Sequence, residues 1–340
     1  MALRTIPVLL GYCDILARCA PGAVLINFTN PVGVITQAIS LHTRVRVVGV
    51  CDTPSSTLDR LAGFLGASRD KISFSYGGLN HLGWITSFAV DGEERIGTLL
   101  DRYEELRRFD HVFAAFDPDQ VRRLGAIPTE YVYYFYEPAR YVAAVARAGA
   151  SRGADVLRLN SELLAGIASA FDAGGVDDAW SAYSALMGVR RDTYMRTDTD
   201  GDNTQAQARA RRAAAGGYEG VALQVIDGLT ARSPGEVIVN TRNGASLGFL
   251  DPDDVVEVPA LVHGGGVSPL AVGRLPRSAV GLITQTKQYE RELVDAAVTG
   301  DAGLAALALA VHPLVPGVTV AREMISEYRE RHGPHLAYLR

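Results

Sequence analysis

The chain has 340 residues, with 33 Lys and Arg against 38 Asp and Glu, so its formal net charge at pH 7 is −5. Hydrophobic residues make up 48% and charged residues 21%, which excludes a disordered or fibrous chain and allows about two globular domains. A nucleic-acid-binding protein would carry a basic surplus, so we expect no nucleic-acid partner. The net charge does not exclude a small anionic substrate, because one or two local arginines suffice to bind a phosphate.

The cysteines and the apolar runs bear on location. Cys13, Cys19 and Cys51 are odd in number and cannot form a disulfide framework, which favours a reducing compartment. No uninterrupted run of about 18 apolar residues occurs, so we expect no membrane span and a cytoplasmic protein.

Residues 1 to about 95 alternate between helix and strand. Residues 5–19 place apolar side chains at helical spacing, and the runs AVLINFT at 23–29 and RVRVVGV at 44–50 are typical of buried strands. A helical pattern follows each strand, and this order predicts a parallel α/β sheet. Two further strand-like stretches flank Gly77 and Gly78.

Helical patterns dominate from about residue 97, with two strands at EVIVNT and VVEVPALV and a helical tail over about 276–331. We predict a mobile surface segment at 189–217, which is rich in small and charged residues. The predicted fold class is α/β: the C-terminal part of a Rossmann-like parallel sheet, followed by a mostly helical α+β domain. We expect the first domain to span residues 1–76 and the second residues 77–340.

Polar side chains follow three of the predicted strands: Asn27 and Asn30, Cys51 and Asp52, and Asn80 and His81. Ligands of open α/β sheets bind beyond the carboxyl ends of the strands, where these side chains would converge. A Cys and a His form a plausible pair of metal ligands, completed by substrate oxygens and water. The ordinary alternative is a small buried Cys and a structural His.

Four tyrosines lie within six residues after Pro128: Tyr131, Tyr133, Tyr134 and Tyr136. An aromatic stripe on a helix is more often core than site. Tyr131 and Tyr134 share one helical face, however, and a phenol near a metal or an arginine can act as a base.

Several motifs, in this order, resemble glycoside hydrolase family 4: LRTIPV at 3–8, INFTNPVG at 26–33, VVGVCDTP at 47–54, GLNHLGW at 78–84 and IPTEYVYYFY at 127–136. GGYEGVAL at 216–223 and VVEVP at 255–259 are similar to the same family. The resemblance covers essentially the whole chain and is closest to the 6-phospho-β-glucosidases. It implies a C-terminal domain like that of lactate and malate dehydrogenases, and a homodimer or homotetramer.

The resemblance also implies a mechanism. Bound NAD takes hydride from C3 of a 6-phosphoglucoside, a base removes the C2 proton, the aglycone leaves, water adds, and the hydride returns. On this resemblance Cys51 and His81 are the ligands of a divalent metal, most often Mn²⁺, Tyr131 is the C2 base and Asp52 is the general acid. The resemblance also places Asn30 at the sugar hydroxyls, Arg152 at the 6-phosphate, and Asn27 and Asn30 beside the cofactor.

Two features depart from the family pattern. The pair Cys51-Asp52 is often associated with α-specific members, although INFTNP favours the β branch. The sequence contains no G-x-G-x-x-G, the fingerprint with which the family opens, so we expect the N-terminal dinucleotide-binding half to be missing and residues 1–76 to be a remnant. The alternatives are an α-specific 6-phosphoglucosidase, a 2-hydroxy-acid dehydrogenase and a non-catalytic remnant.

Overall fold

The computed structural model describes residues 1–195, 217–230 and 234–340. Its strands are β1 (Val24–Asn27), β2 (Arg46–Gly49), β3 (Ile72–Leu79), β4 (Leu82–Val90), β5 (Glu93–Glu94), β6 (Ile127–Pro128), β7 (Gly235–Arg242), β8 (Val255–His263) and β9 (Gly266–Pro269). In the described ranges these strands form one sheet, ordered β1-β2-β7-β8-β3-β4-β5, with β6 beside β4 and β9 beside β8.

The helices are α1 (Ala2–Cys19), α2 (Val32–His42), α3 (Thr53–Leu65), α4 (Ile96–Asp101), α5 (Tyr103–Phe109), α6 (Pro118–Leu124), α7 (Tyr133–Tyr136), α8 (Pro138–Ala148), α9 (Arg152–Asp192), α10 (Gly217–Thr230), α11 (Arg277–Thr299), α12 (Ala302–Val311) and α13 (Val318–His332). Helix α9 is interrupted at Gly175, whose φ is 77°. Its N-terminal Arg152 hydrogen-bonds to Thr193 beyond its C-terminus, so α9 folds back on itself.

Local sequence explains where several helices begin and end. Pro54 lies in the first turn of α3, where its missing N–H costs nothing, and Gly66 ends that helix in the left-handed conformation. Asp117 caps α6 by accepting the backbone N–H of Gln120, and Asp301 caps α12 in the same way through Leu304.

The sheet is parallel only where β1 pairs with β2. Strand β7 joins β2 in antiparallel fashion through the single pair Gly49 and Asn240, and β8, β3 and β4 continue antiparallel. The prediction of a parallel sheet is therefore correct for 23–50 and wrong beyond it, because 72–90 forms a hairpin whose tight turn leaves no room for a crossover.

Three groups of buried apolar side chains stabilise the described parts. The first surrounds the β3–β4 hairpin and contains Trp84 and Phe88; the second joins α1 and α2 to α11 and α12; the third lies between β2, β7, β8 and α10. None of the described helices combines the length and apolarity that a bilayer crossing requires. Most of the segment 189–217, predicted to be mobile, lies outside the described residues.

Candidate active site

The polar residues that follow β1, β2 and β3 lie at one edge of the sheet. The backbone N–H of Val50 donates to the carbonyl of Asn27 at 3.0 Å, which brings the ends of β1 and β2 together. At the start of α2, a Cβ added to Gly33 would lie 3.4 Å from the Cβ of Asn80. The start of α2 is thus adjacent to the β3–β4 turn.

Asn27 and Asn30 differ in how their side chains are used. Asn27 donates to the carbonyl of Val32 and to the hydroxyl of Thr36, and its Oδ1 accepts the N–H of Thr29. These bonds hold the loop between β1 and α2. The Oδ1 of Asn30, by contrast, is buried and has no hydrogen-bond partner among the described residues; Asn30 precedes the cis bond to Pro31. An unpaired buried acceptor at this edge suits a donor from a ligand.

Cys51 is almost fully buried directly after β2. Burial, and then the negative charge of Glu257, raises the pKa of its thiol to about 12, while contacts with Thr53 act in the opposite direction. The next residue, Asp52, precedes α3 without capping it through its side chain. Cys51 and Asp52 both lie close enough to Tyr131 for their charges to raise the pKa of its phenol.

His81 and Tyr131 are in direct contact, with ring centroids 4.1 Å apart and planes 32° from parallel. Burial lowers the pKa of His81 to about 4, so its imidazole is neutral, and its buried Nε2 has no hydrogen-bond partner in the part of the chain that the structure describes. Burial and the neighbouring Glu130 raise the pKa of Tyr131. Tyr134 also stacks on Tyr131, with ring centroids 6.2 Å apart.

A buried charged cluster lies behind Tyr131 and was not anticipated from the sequence. Arg60 Nε lies 3.2 Å from a carboxylate oxygen of Asp110, and Arg60 Nη1 lies 3.7 Å from Glu130. The hydroxyl of Tyr194 donates to Glu130 at 3.0 Å. Burial opposes the charge on Arg60, but Glu130 and Asp110 together raise its pKa. Because Glu130 and Tyr131 are adjacent in the chain, this cluster fixes the backbone that bears the phenol.

Arg152 is connected to this cluster through the end of α9. Its guanidinium donates to the hydroxyl of Thr193 and to the carbonyl of Arg190, each at 2.8 Å. Thr193 directly precedes Tyr194, which bonds to Glu130. These two bonds engage two of the five N–H donors of Arg152.

Glu257 is the other functional candidate that sequence reasoning missed. It is buried in β8 and accepts hydrogen bonds from Tyr76, Asn80 and Asn240. The signal was present in the sequence, because a single acidic residue interrupts the apolar run VVEVPALV. A carboxylate placed where a strand should be apolar requires buried donors.

The chemistry of Cys51 and His81 fits a divalent metal. To bind a metal, a histidine must be neutral and a cysteine must be deprotonated; His81 is already neutral, and its Nε2 has no partner within the described ranges. The thiol of Cys51 would lose its proton on metal binding. Within the described ranges, no group of three or more His, Cys, Asp and Glu residues is arranged to hold a metal. A cation at this pair would therefore need further ligands from substrate or water.

The fold and this edge define an α/β enzyme with a candidate metal pair beside a buried phenol. The model of the family 4 glycosyl hydrolases matches residues 1–67, and the model of the family 4 glycosyl hydrolase C-terminal domain matches residues 76–315. The chain belongs to glycosyl hydrolase family 4, which confirms the resemblance drawn from the motifs.

Individual relatives agree with this assignment. A probable 6-phospho-β-glucosidase of Bacillus subtilis is 29% identical over 98% of this chain and 70% of its own length. The 6-phospho-α-glucosidase 1 of Lacticaseibacillus paracasei is 24% identical over 96% of this chain and 70% of its own. The structure of the 6-phospho-β-glucosidase of Thermotoga maritima with NAD and glucose-6-phosphate is 25% identical, with a TM-score of 0.74 over 97% of this chain and 70% of that one.

Proposed function

We propose that this chain supplies the catalytic and metal-binding residues for the hydrolysis of 6-phospho-β-glucosides with the help of NAD and a divalent metal. Family membership supports the hydrolysis of phosphoglucosides. The relatives named above support it too, since they include a probable 6-phospho-β-glucosidase and a 6-phospho-α-glucosidase. The observation that carries the proposal is the contact between His81 and Tyr131, beside Cys51 and Asp52. Four residues from three separate motifs thereby meet at one edge of the sheet.

In this proposal Cys51 and His81 hold the metal. A divalent cation bound there would supply positive charge beside the C2 and C3 oxygens of the sugar and beside the phenol of Tyr131. Burial and the negative charge of Glu130 raise the pKa of that phenol, so without the cation Tyr131 is a poor base. With the cation bound, Tyr131 would lose its phenolic proton to solvent and, as a phenolate, would accept the C2 proton at its oxygen, and Tyr134 and Glu130 would hold its ring and backbone in place.

Three further residues would orient the substrate. The unpaired Oδ1 of Asn30 would accept a hydrogen bond from a sugar hydroxyl. Arg152 would bind the 6-phosphate through the N–H donors that Thr193 and Arg190 do not use. Asp52, next to Cys51, would protonate the departing aglycone oxygen.

The residues present fit the metal better than they fit the nucleotide. NAD, when bound, would take and return a hydride at C3. Its pyrophosphate normally rests on the N–H groups of a glycine turn at a helix N-terminus, and the 340-residue sequence contains no G-x-G-x-x-G. Asn27, proposed beside the cofactor, uses its side chain to hold the β1–α2 loop. No residue here is therefore assigned to the pyrophosphate.

The proposal is tested with three nitrophenyl substrates in the presence of NAD and Mn²⁺: the 6-phospho-β-glucoside, its α-anomer and the unphosphorylated β-glucoside. Release of nitrophenol measures the cleavage of each. The chain is assayed alone and after fusion at Met1 to a family 4 segment that carries the glycine fingerprint. We expect the fusion to cleave the 6-phospho-β-glucoside and to stop when either NAD or Mn²⁺ is withheld. Preference for the α-anomer would make the chain the α-specific alternative, as Cys51-Asp52 suggests, and an inactive fusion would contradict the function.

A further inference from the structure

The carboxylate of Glu257 is the centre of a buried hydrogen-bond group beside the candidate metal pair. Its Oε2 accepts the hydroxyl of Tyr76 at 2.6 Å, and its Oε1 accepts the side-chain amides of Asn240 at 2.8 Å and Asn80 at 3.1 Å. The side chain is about 1% exposed. Its charge is the largest acidic influence on Cys51, second only to burial in raising the pKa of that thiol.

Glu257 contacts the β3–β4 hairpin through both its backbone and its side chain. Its backbone pairs with Gly78 in the β3–β8 ladder, and its side chain reaches Asn80 in the turn itself. Close packing reinforces this arrangement, because a Cβ on Gly83 would lie 2.0 Å from the hydroxyl of Tyr76. The turn between β3 and β4 is thus held from the neighbouring strand as well as by its own hairpin pairs.

The turn needs this support because His81 adopts a φ of 65°. Positive φ is uncommon for a residue that is not glycine, and the surrounding structure must maintain it. Asn80 and His81 are adjacent, so the bond from Asn80 to Glu257 restrains the backbone from which the His81 ring extends to Tyr131. A relaxed turn would change the position of that ring.

We propose that Glu257 is a positioning residue for His81: it clamps Asn80 and so holds the β3–β4 turn in the conformation that places the His81 ring against Tyr131. The part of this role that concerns the metal rests on the proposed function. Residues that orient the ligands of a metal contribute strongly to its affinity, so the clamp should tighten binding of a divalent cation without touching it.

The first measurement follows amide hydrogen exchange of residues 79–83 in the full chain without metal. Asn80→Ala removes the clamp, and Asn80→Asp keeps the size of the side chain but presents an acceptor to the carboxylate. We expect exchange of the turn to rise roughly tenfold or more in both variants, the loss expected for a hydrogen bond to a charged group. Ser87→Ala, which removes a donor to Glu94 at the far end of the same hairpin, should leave residues 79–83 unchanged.

The second measurement is the dissociation constant of Mn²⁺, from the electron paramagnetic resonance signal of the free ion, without substrate. Asn80→Ala should weaken binding about 10- to 100-fold relative to wild type, and Ser87→Ala should bind like wild type. Unchanged exchange in Asn80→Ala, protection retained in Asn80→Asp, or wild-type Mn²⁺ affinity in Asn80→Ala would each overturn the proposal. A wild-type chain that binds no Mn²⁺ overturns the metal site proposed above, and exchange of the turn then decides on the clamp alone.

Discussion

Tyr131 is well placed for its proposed role as the C2 base, but the pKa of its phenol is too high for that role. Its ring touches His81, but burial and Glu130 raise the pKa of its phenol. General bases work best when their pKa lies near the working pH. The positive charge of a cation at Cys51 and His81 is the influence that would bring the phenol into range.

We predict that Tyr131→Phe, made in the active fusion, lowers kcat by about 10²- to 10⁴-fold, the usual contribution of a general base, and leaves KM nearly unchanged. The phenyl ring still stacks on His81, so the site should keep its shape. Steady-state kinetics on the 6-phospho-β-glucoside checks this. The matched control is Tyr134→Phe, which removes a neighbouring hydroxyl from the same stack. Full activity in Tyr131→Phe would assign the base to another residue.

His312 supplies a prediction on stability rather than activity. It packs on Tyr289, with ring centroids 4.6 Å apart, and its Nδ1 accepts the N–H of Leu314. Burial lowers its pKa from 6.5 to about 4. Between these two pH values the unfolded chain binds a proton at this residue and the folded chain does not, so the free energy of unfolding falls as the pH falls.

We therefore expect the Tm to decrease between pH 7 and pH 4.5, and to decrease less steeply in His312→Asn. His81, whose pKa is also lowered to about 4, should contribute in the same direction. Thermal unfolding followed by circular dichroism at several pH values measures this. His335→Asn, at an exposed position, serves as control. Equal slopes for wild type and His312→Asn would show that the folded protein accommodates the charged ring.

Sequence alone pointed to candidate residues that follow strands, and it did not point to those that support them. Cys51, His81 and Tyr131 became candidates because motifs and strand ends mark them. Glu257 and Arg60 were missed because their partners are remote in sequence: Glu257 bonds to Tyr76, 181 positions away. Pairings of this kind depend on which strands become neighbours, and no local pattern records that.

At the scale of elements, the β3–β4 hairpin is the unit that presents the candidate site. Its turn is narrow: a Cβ on Gly78 would lie 2.1 Å from the backbone carbonyl oxygen of Leu82. Backbone atoms at this distance cannot move aside as a flexible side chain would. The hairpin therefore requires glycine at this position.

We predict that Gly78→Ala destabilises the protein by about 1–3 kcal/mol or more, the range for overpacking, and weakens Mn²⁺ binding because the turn with His81 shifts. Urea unfolding gives the first quantity and the Mn²⁺ titration the second. Gly97→Ala in α4 is the control, since nothing lies within 4 Å of its added Cβ, and there alanine should be neutral or stabilising. A Gly78→Ala protein as stable as wild type would show that the turn can widen.

Most element positions were predictable because their signals are local. The helix expected after the strand at 23–29 is α2, Val32–His42, and the strand expected at 44–50 is β2, Arg46–Gly49. The order and direction of the strands were not predictable in the same way. The contact between β2 and β7 joins residues 191 positions apart through one residue pair, Gly49 and Asn240.

At the scale of the whole molecule, the two parts that the sequence suggested share one sheet. Strands β1 and β2 lie at one end of it, and the hairpin that holds His81 lies towards the other. The proposed metal pair would draw one ligand from each part, since Cys51 follows β2 and His81 follows β3. A boundary after residue 76, which stays a proposal, would therefore pass between the two ligands. The site depends on the sheet as a whole.

The last prediction at this scale concerns the binding of NAD by the 340 residues. Asn30 and Cys51 lie just beyond the carboxyl ends of β1 and β2, where ligands of open α/β sheets bind, but none of the 340 residues forms the glycine fingerprint that would hold the pyrophosphate of a dinucleotide. We predict that the 340-residue chain binds NAD weakly or not at all in calorimetric titration and shows negligible hydrolysis even with Mn²⁺. Mn²⁺ itself should still bind, because its two protein ligands and the Glu257 clamp are present. The fusion that carries the fingerprint should gain NAD binding and activity together. Tight NAD binding by the 340 residues alone would instead show that other backbone N–H groups cradle the pyrophosphate.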